Sequence, residues 1–193
     1  MPAPSLLTKR LLLRHWKESD LPLFAKMNSD TRVMEYFPLI LSKKESDSLA
    51  EKIQKELKEK EYGFWAVEVI GLAPFIGFVG LHYPDFKAPF TPCVEIGWRL
   101  AYEQWGKGYA FEAASKVIDY AFNTLNLQEL VSFTTVKNKR SRKLMEKLGM
   151  THNPSDDFAH PKLQKNHPLC PHVLYRKRNP HNENISHLPQ IIR

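Results

Sequence analysis

Cysteine is nearly absent from this 193-residue chain: Cys93 and Cys170 are the only two, and they form no C-x-x-C pair. That excludes a disulfide framework and a zinc ribbon, and it fits a reducing compartment. Long apolar runs are missing as well. No stretch approaches the roughly 18 uninterrupted apolar residues of a membrane helix. Lys9, Arg10 and Arg14 follow the N-terminus without the apolar block of a signal peptide. The expectation is a soluble, cytoplasmic protein with no membrane partner. The phosphate-binding pattern G-x-x-x-x-G-K-[ST] does not occur, and no internal repeat is found.

What is present suffices for one sizeable core, with 42% hydrophobic and 11% aromatic residues against 25% charged. A single domain over 1–178 is expected, with 179–193 as a flexible tail rich in Asn, Pro and His. The formal charge of +7 is unevenly spread. Residues 1–136 hold 16 Lys and Arg against 17 Asp and Glu, whereas 137–193 hold 12 against 4. Lys137, Lys139, Arg140, Arg142, Lys143 and Lys147 are opposed locally only by Glu146, which makes an anion-attracting field or a solvated basic helix face. Nucleic acid or a phosphorylated small molecule could answer it. RNA recognition would call for aromatic residues among those cations, and 137–147 contains none, so nucleic acid is disfavoured.

Leu11, Leu13 and Trp16 read as an opening strand, after which Ser19 and Asp20 offer N-cap oxygens to a helix containing Leu23, Phe24 and Met27, with Pro22 in its first turn. Ser42 and Glu45 form a capping box before Leu49, Ile53 and Leu57 at helical spacing, with Glu51–Lys55 and Glu56–Lys60 pairs outside. Residues 64–70 and 75–83 suggest a hairpin. Val94, Ile96, Trp98 and Leu100 put one apolar face on a strand whose other face carries Glu95, Gly97 and Arg99. A helix with Ala110, Ala114, Val117, Ile118, Ala121 and Leu125 follows, then a strand over 130–136, expected to lie parallel to 94–100. Asn138 and Ser141 open a short helix that Gly149 ends, 150–171 lacks periodicity, and 173–177 suggests a last strand.

The segment Trp105-Gly106-Lys107-Gly108-Tyr109-Ala110 lies between predicted strand and predicted helix. Glycines there let backbone approach a ligand, and the first turn of the helix offers unbonded N–H groups, so a pyrophosphate seat is one reading. A tight turn that needs glycine for geometry alone is the other. A dinucleotide fingerprint would require glycine where Phe111 stands.

Six segments in order resemble the GNAT superfamily of N-acetyltransferases, in the ribosomal-protein-alanine N-acetyltransferase-like branch (RimJ/RimL type). They are Thr8 to Arg14, Val33 to Pro38, Gly77 to Gly80, Glu95 to Trp98, Trp105 to Ala110, and Asn138 through Ser141 to Met150. Of the family loop pattern [QR]-x-x-G-x-[GA], Gly108 and Ala110 match, whereas Trp105 stands where Gln or Arg is usual. The resemblance implies an α+β fold with a central mixed, mostly antiparallel sheet, flanked by helices, whose parallel pair splays apart. It implies acetyl-CoA as cosubstrate: pyrophosphate on Trp105, Gly106, Lys107, Gly108, Tyr109 and Ala110, pantetheine against the backbone of Trp98, Arg99 and Leu100, and Asn138 on the other side. The acceptor it implies is a primary amine, first a peptide N-terminus, second a polyamine, aminoglycoside or amino acid. A dimer is an open expectation.

Acetyl transfer to an amine needs a neutral amine, donors for the oxyanion and a proton for the thiolate. Glu95 is the candidate base, or else a structural ion-pair partner of Arg99 two pleats along. Many relatives use a Tyr as the acid where this chain has Met145. Ser141 is the candidate instead, or else a helix-opening hydroxyl bonded to backbone, with Tyr175 a remote alternative. Metal binding by His160, His167, Cys170 and His172 is rejected on spacing. Asp156, Asp157 and His160 either line the acceptor end or belong to a surface loop. The rival classes are an acyl-CoA-binding module without catalysis and a basic nucleic-acid-binding domain.

Overall fold

The computed structural model describes residues 2–181. In chain order the strands are β1 (Leu6–Leu7), β2 (Leu11–Arg14), β3 (Phe64–Val69), β4 (Ala73–His82), β5 (Glu95–Leu100), β6 (Glu129–Thr135), β7 (Thr151–His152), β8 (Phe158–Ala159) and β9 (Pro171–Arg178). The helices are α1 (Leu21–Ser29), α2 (Lys43–Glu59), α3 (Tyr109–Asn123) and α4 (Lys139–Lys147). The strands make one sheet in the order β1-β2-β3-β4-β5-β6-β9-β7, with β8 also on β9. Only β5 and β6 pair in parallel, so the fold is α+β with a mixed, mostly antiparallel sheet. No helix among the described residues is long and apolar enough to cross a membrane.

Two layers sandwich the sheet, because both faces of its central strands are apolar. Trp65, Val79 and Trp98 share one face through cross-strand register. There Trp65 meets Tyr120 of α3 edge-on at 5.8 Å, and Ala113, Ala114, Val117 and Ala121 are buried. Phe78 and Arg99 share the other face, where Phe24 of α1 packs on Phe78 and Trp16 packs on both. The capping box of α2 forms as its sequence requires: Glu45 N–H donates to Ser42 Oγ at 3.3 Å and Ser42 N–H to Glu45 Oε2 at 2.8 Å. Glu56 pairs with Lys60, but Lys55 turns to Glu59 rather than to Glu51.

Three boundaries differ from the sequence reading. Asp20 does not cap α1. Its carboxylate is buried and accepts from both terminal guanidinium nitrogens of Arg14, at 2.8 and 3.0 Å, while Glu68 accepts from Nε at 2.7 Å. A buried guanidinium has the stronger demand for a fixed anion, and it outcompetes the cap. Asn179 does not begin a tail: it is buried, and its side-chain amide donates to Phe122 O and Leu127 O. Residues 182–193 of the expected tail lie outside the described residues. Finally, 150–171 carries β7 and β8, two-residue strands too short to show a period.

Candidate active site

Strands β5 and β6 are in register only at Glu95 and Val131, where Val131 N–H donates to Val94 O at 3.0 Å. Beyond that point they part. Main-chain groups alternate in direction along a strand, and Ala101 N–H donates back to Ile76 of β4. Trp98 and Leu100 therefore turn their main-chain groups to the gap. Arg99 does not: its carbonyl faces β4, 2.1 Å from where a Cβ on Gly77 would stand. This corrects the expectation that all three residues offer backbone to a ligand. Leu100 O is also partly used, because Trp105 Nε1 donates to it at 2.9 Å.

That indole bond gives Trp105 a structural task in the loop. Its ring lies under the Arg140 guanidinium at 4.2 Å, and Arg140 pairs with Glu35 at 3.0 Å. Gly106 and Gly108 adopt φ of 74° and 81°, the left-handed region that favours glycine. Gly108 is the N-cap of α3, and the first intrahelical bond runs from Glu112 N–H to Gly108 O. The amides of Tyr109, Ala110 and Phe111 precede it, without intrahelical acceptors, an arrangement able to take an anion with the helix dipole behind it. Arg10 braces this turn from outside, donating to Lys107 O at 3.1 Å and pairing with Glu112 at 2.7 Å. Lys107 itself is exposed, its ammonium on Gln104 Oε1.

Across the gap, Asn138 caps α4: its Oδ1 accepts from Ser141 N–H at 3.1 Å and its Nδ2 donates to Thr134 Oγ1 at 3.1 Å. Ser141 shares a helix face with buried Met145 and Leu148. Its hydroxyl makes no hydrogen bond among the described residues, so the cap is Asn138 and not the serine. Tyr175 is buried with its phenol donating to Glu146 Oε1 at 2.8 Å, on the adjoining flank of α4. Of the basic run, Arg142 bonds Val136 O, and Lys147 stands 4.5 Å over the Phe111 ring beside the anion seat.

Glu95 is buried, and burial holds its carboxyl well above the ordinary range. It does not pair with Arg99. The edge of Phe64 sits over Gly97 between them, 3.3 Å from a would-be Cβ, and Arg99 instead donates to Asn28 Oδ1 at 2.7 Å under the Phe37 ring. Glu95 faces His82 of β4, with Nε2 and Oε2 3.3 Å apart. Burial lowers His82 to about 4. The sequence reading missed His82; the register of β4 on β5, which puts His82 opposite Glu95, is the signal that finds it. Asp156 is bonded to Arg176 and Asp157 to His152, so neither is a free carboxylate for an amine. His160 and His172 pack ring to ring, and among the described residues no three His, Cys, Asp or Glu gather as metal ligands.

Residues 10–151 match the family described as acetyltransferase (GNAT) domain. The uncharacterised Bacillus subtilis protein YkkB is 31% identical over 148 residues, 75% of this chain and 84% of its own length. The uncharacterised N-acetyltransferase YnaD of the same organism is 29% identical, over 74% and 80%. A GNAT-family acetyltransferase from Bacillus anthracis superposes with TM-score 0.75 at 24% identity, over 91% of this chain and 99% of that one. Two Vibrio structures share the fold. The ribosomal-protein-S5-alanine acetyltransferase of V. fischeri has TM-score 0.71 at 20% identity, over 92% and 97%. The spermidine N-acetyltransferase of V. cholerae, in complex with CoA and spermine, has 0.68 at 22%, over 89% and 97%. With its open parallel pair, its glycine turn and this family match, the chain belongs to the GNAT acetyltransferases.

Proposed function

We propose that this N-acetyltransferase moves an acetyl group from acetyl-CoA directly to a primary amine, with Glu95 as base and Ser141 as acid. The observation that carries the reading is the gap itself. Trp98 turns both main-chain groups into it and Leu100 its N–H, as an amide-bearing arm laid like an added strand requires. The amides after Gly108, with Lys107 and Lys147 nearby, suit a pyrophosphate. Acetyl-CoA supplies an activated thioester. Asn138 Oδ1 and Nδ2 are each bonded once, which leaves one lone pair and one hydrogen for the same arm.

In the transfer, the amine nitrogen bonds to the acetyl carbon and the carbon–sulfur bond breaks. Glu95 takes the proton leaving nitrogen and Ser141 gives one to sulfur; Glu95 then releases its proton to water, from which Ser141 regains one. A carboxylate in an apolar site is a stronger base than a solvated one, which matters because the amine must lose its proton. The first acceptor class is a peptide N-terminus, which the resemblance of the sequence to the ribosomal-protein branch supports. A peptide α-amino group has a pKa of about 7.7 to 8.0 against about 10.4 for a lysine-like amine, and so asks least of Glu95. Polyamines are the second class, in view of the spermidine enzyme of the same fold.

The test is free-thiol release from acetyl-CoA against peptides and small amines, with products weighed by mass spectrometry. Amine-dependent release is expected, and Ser141→Ala should slow it. Binding of acetyl-CoA with no release from any amine would make the chain an acyl-CoA-binding module.

A further inference from the structure

An aromatic cluster adjoins the gap on the face that carries Glu95. Glu95 and Val131 are register partners, so their side chains share a face, and Phe133, two residues on, shares it too. Opposite Phe133 across the splayed strands stands Gly97, whose missing side chain lets the edge of Phe64 settle over it. Phe133 meets Phe86 at 5.6 Å, Phe90 at 6.0 Å and Phe158 at 5.7 Å between ring centroids. His160 and His172 close the group, within 6.4 and 6.3 Å of Phe133. All six rings are only half-buried, so this is a wall and not a core. A groove of about 430 Å³ opens beside Phe86, between Pro84 and Pro92. On the near side Phe64 packs at a tilt on His82, 4.8 Å between centroids, which makes a second aromatic wall over Gly97.

The carboxylates of the loops around these walls already have partners. Asp85 pairs with Lys162, Asp156 with Arg176, Asp157 with His152, and Glu129 with Arg176 and Arg178. Glu95 is the carboxylate left without a cation, and it is committed to the reacting amine. Burial also lowers both His160 and His172, which keeps those rings neutral and apolar. A second ammonium on an acceptor would find at these rings only a cation–π contact and no buried carboxylate, whereas an apolar body gains the burial of its whole face against them.

Resting on the reading of Glu95 as the base of an amine acetyltransferase, we infer that the acceptor is a monoamine carried on an apolar, aryl-type body, seated between Phe64 and the Phe133 cluster. The amine nitrogen then lies beside the Phe64 edge, on the β6 side of Gly97 and next to Glu95, and the body replaces water on the rings. The bonds made and broken are those of the transfer above.

The experiment is kcat/KM for thiol release with 2-phenylethylamine and with spermidine, on the whole chain, alongside calorimetry with acetyl-CoA. Phenylethylamine should be preferred by roughly tenfold or more, the range a well-packed apolar subsite can supply. Phe133→Ala should erase the preference by raising KM for phenylethylamine, and Phe133→Leu, which keeps most of the apolar volume, should retain part of it. Spermidine used as well or better, or a preference untouched in a folded Phe133→Ala, would overturn the inference and leave amine acetylation standing. Release from neither amine while acetyl-CoA still binds would overturn the seat, and release from no peptide or small amine of the wider panel would overturn the amine reading as well.

Discussion

His82 and Glu95 face each other across β4 and β5, Nε2 to Oε2 at 3.3 Å, and burial drives both toward their neutral forms. His82 falls to about 4 while Glu95 rises, so the imidazole and the carboxyl are each held toward the uncharged form. His82 Nδ1 is buried with no partner among the described residues. The imidazole can therefore donate from Nε2 once Glu95 ionises, with Nδ1 as the bare nitrogen, which supports the carboxylate form needed for catalysis.

This geometry sets the pH dependence. A base with a raised pKa is inactive below that pKa, so kcat/KM should climb with pH through a midpoint well above 4.5. Glu95→Gln should lower the rate by roughly 10² or more where the wild type is fully active, and flatten the profile. His82→Phe removes the donor that favours the anion, and should move the midpoint upward. Identical profiles for Glu95→Gln and wild type would remove Glu95 from the chemistry.

The glycine turn should decide acetyl-CoA affinity. At φ 81° a β-branched residue is strained by roughly 1–3 kcal/mol, so Gly108→Val should reshape the anion seat and raise Kd about tenfold or more in calorimetry. Arg10→Ala, which leaves the glycine intact but frees Lys107 O, should weaken binding less. An unchanged Kd in a folded Gly108→Val would sever the loop from the cofactor.

Much of this was legible in the sequence. Periodicity located α2, α3 and the β3–β4 hairpin, and the Trp105–Ala110 segment stood out by its position between strand and helix. What escaped depends on register and on long-range pairing. Nothing local says that Asp20 serves Arg14, that Phe64 separates Glu95 from Arg99, or that Arg99 turns its carbonyl to β4. His82 was invisible because one residue of slip would have moved it to the other face. The Phe133 cluster draws on β6, β8, β9 and the 84–94 loop, which only the folded sheet brings together.

The Arg14–Asp20 pair should be the most sensitive polar contact in the fold. Arg14 also donates to Glu68 and to the Pro74 carbonyl, so removing Asp20 strands a buried cation with its remaining partners. Asp20→Ala should cost about 3–5 kcal/mol in urea unfolding. Replacing both residues by apolar side chains, as in Arg14→Met with Asp20→Leu, should recover part of that loss, since the two buried charges are gone and Glu68 keeps Lys17.

His172 should make the protein acid-sensitive. Burial lowers its folded pKa from 6.5 to about 4, against a carbonyl bond from Cys170 that pulls the other way. Between those two values the unfolded chain binds a proton that the folded chain refuses. The contribution is therefore complete above pH 6.5 and is lost as the pH falls toward 4. His172→Phe keeps the ring packing against Phe133 and Phe158 and cannot titrate. Its thermal midpoint should drop less than that of the wild type between pH 7 and pH 4.5, as followed by circular dichroism. Parallel drops in the two proteins would mean that His172 takes up its proton in the folded state as readily as in the unfolded one, and that the aromatic wall is wetter than its half-buried rings imply.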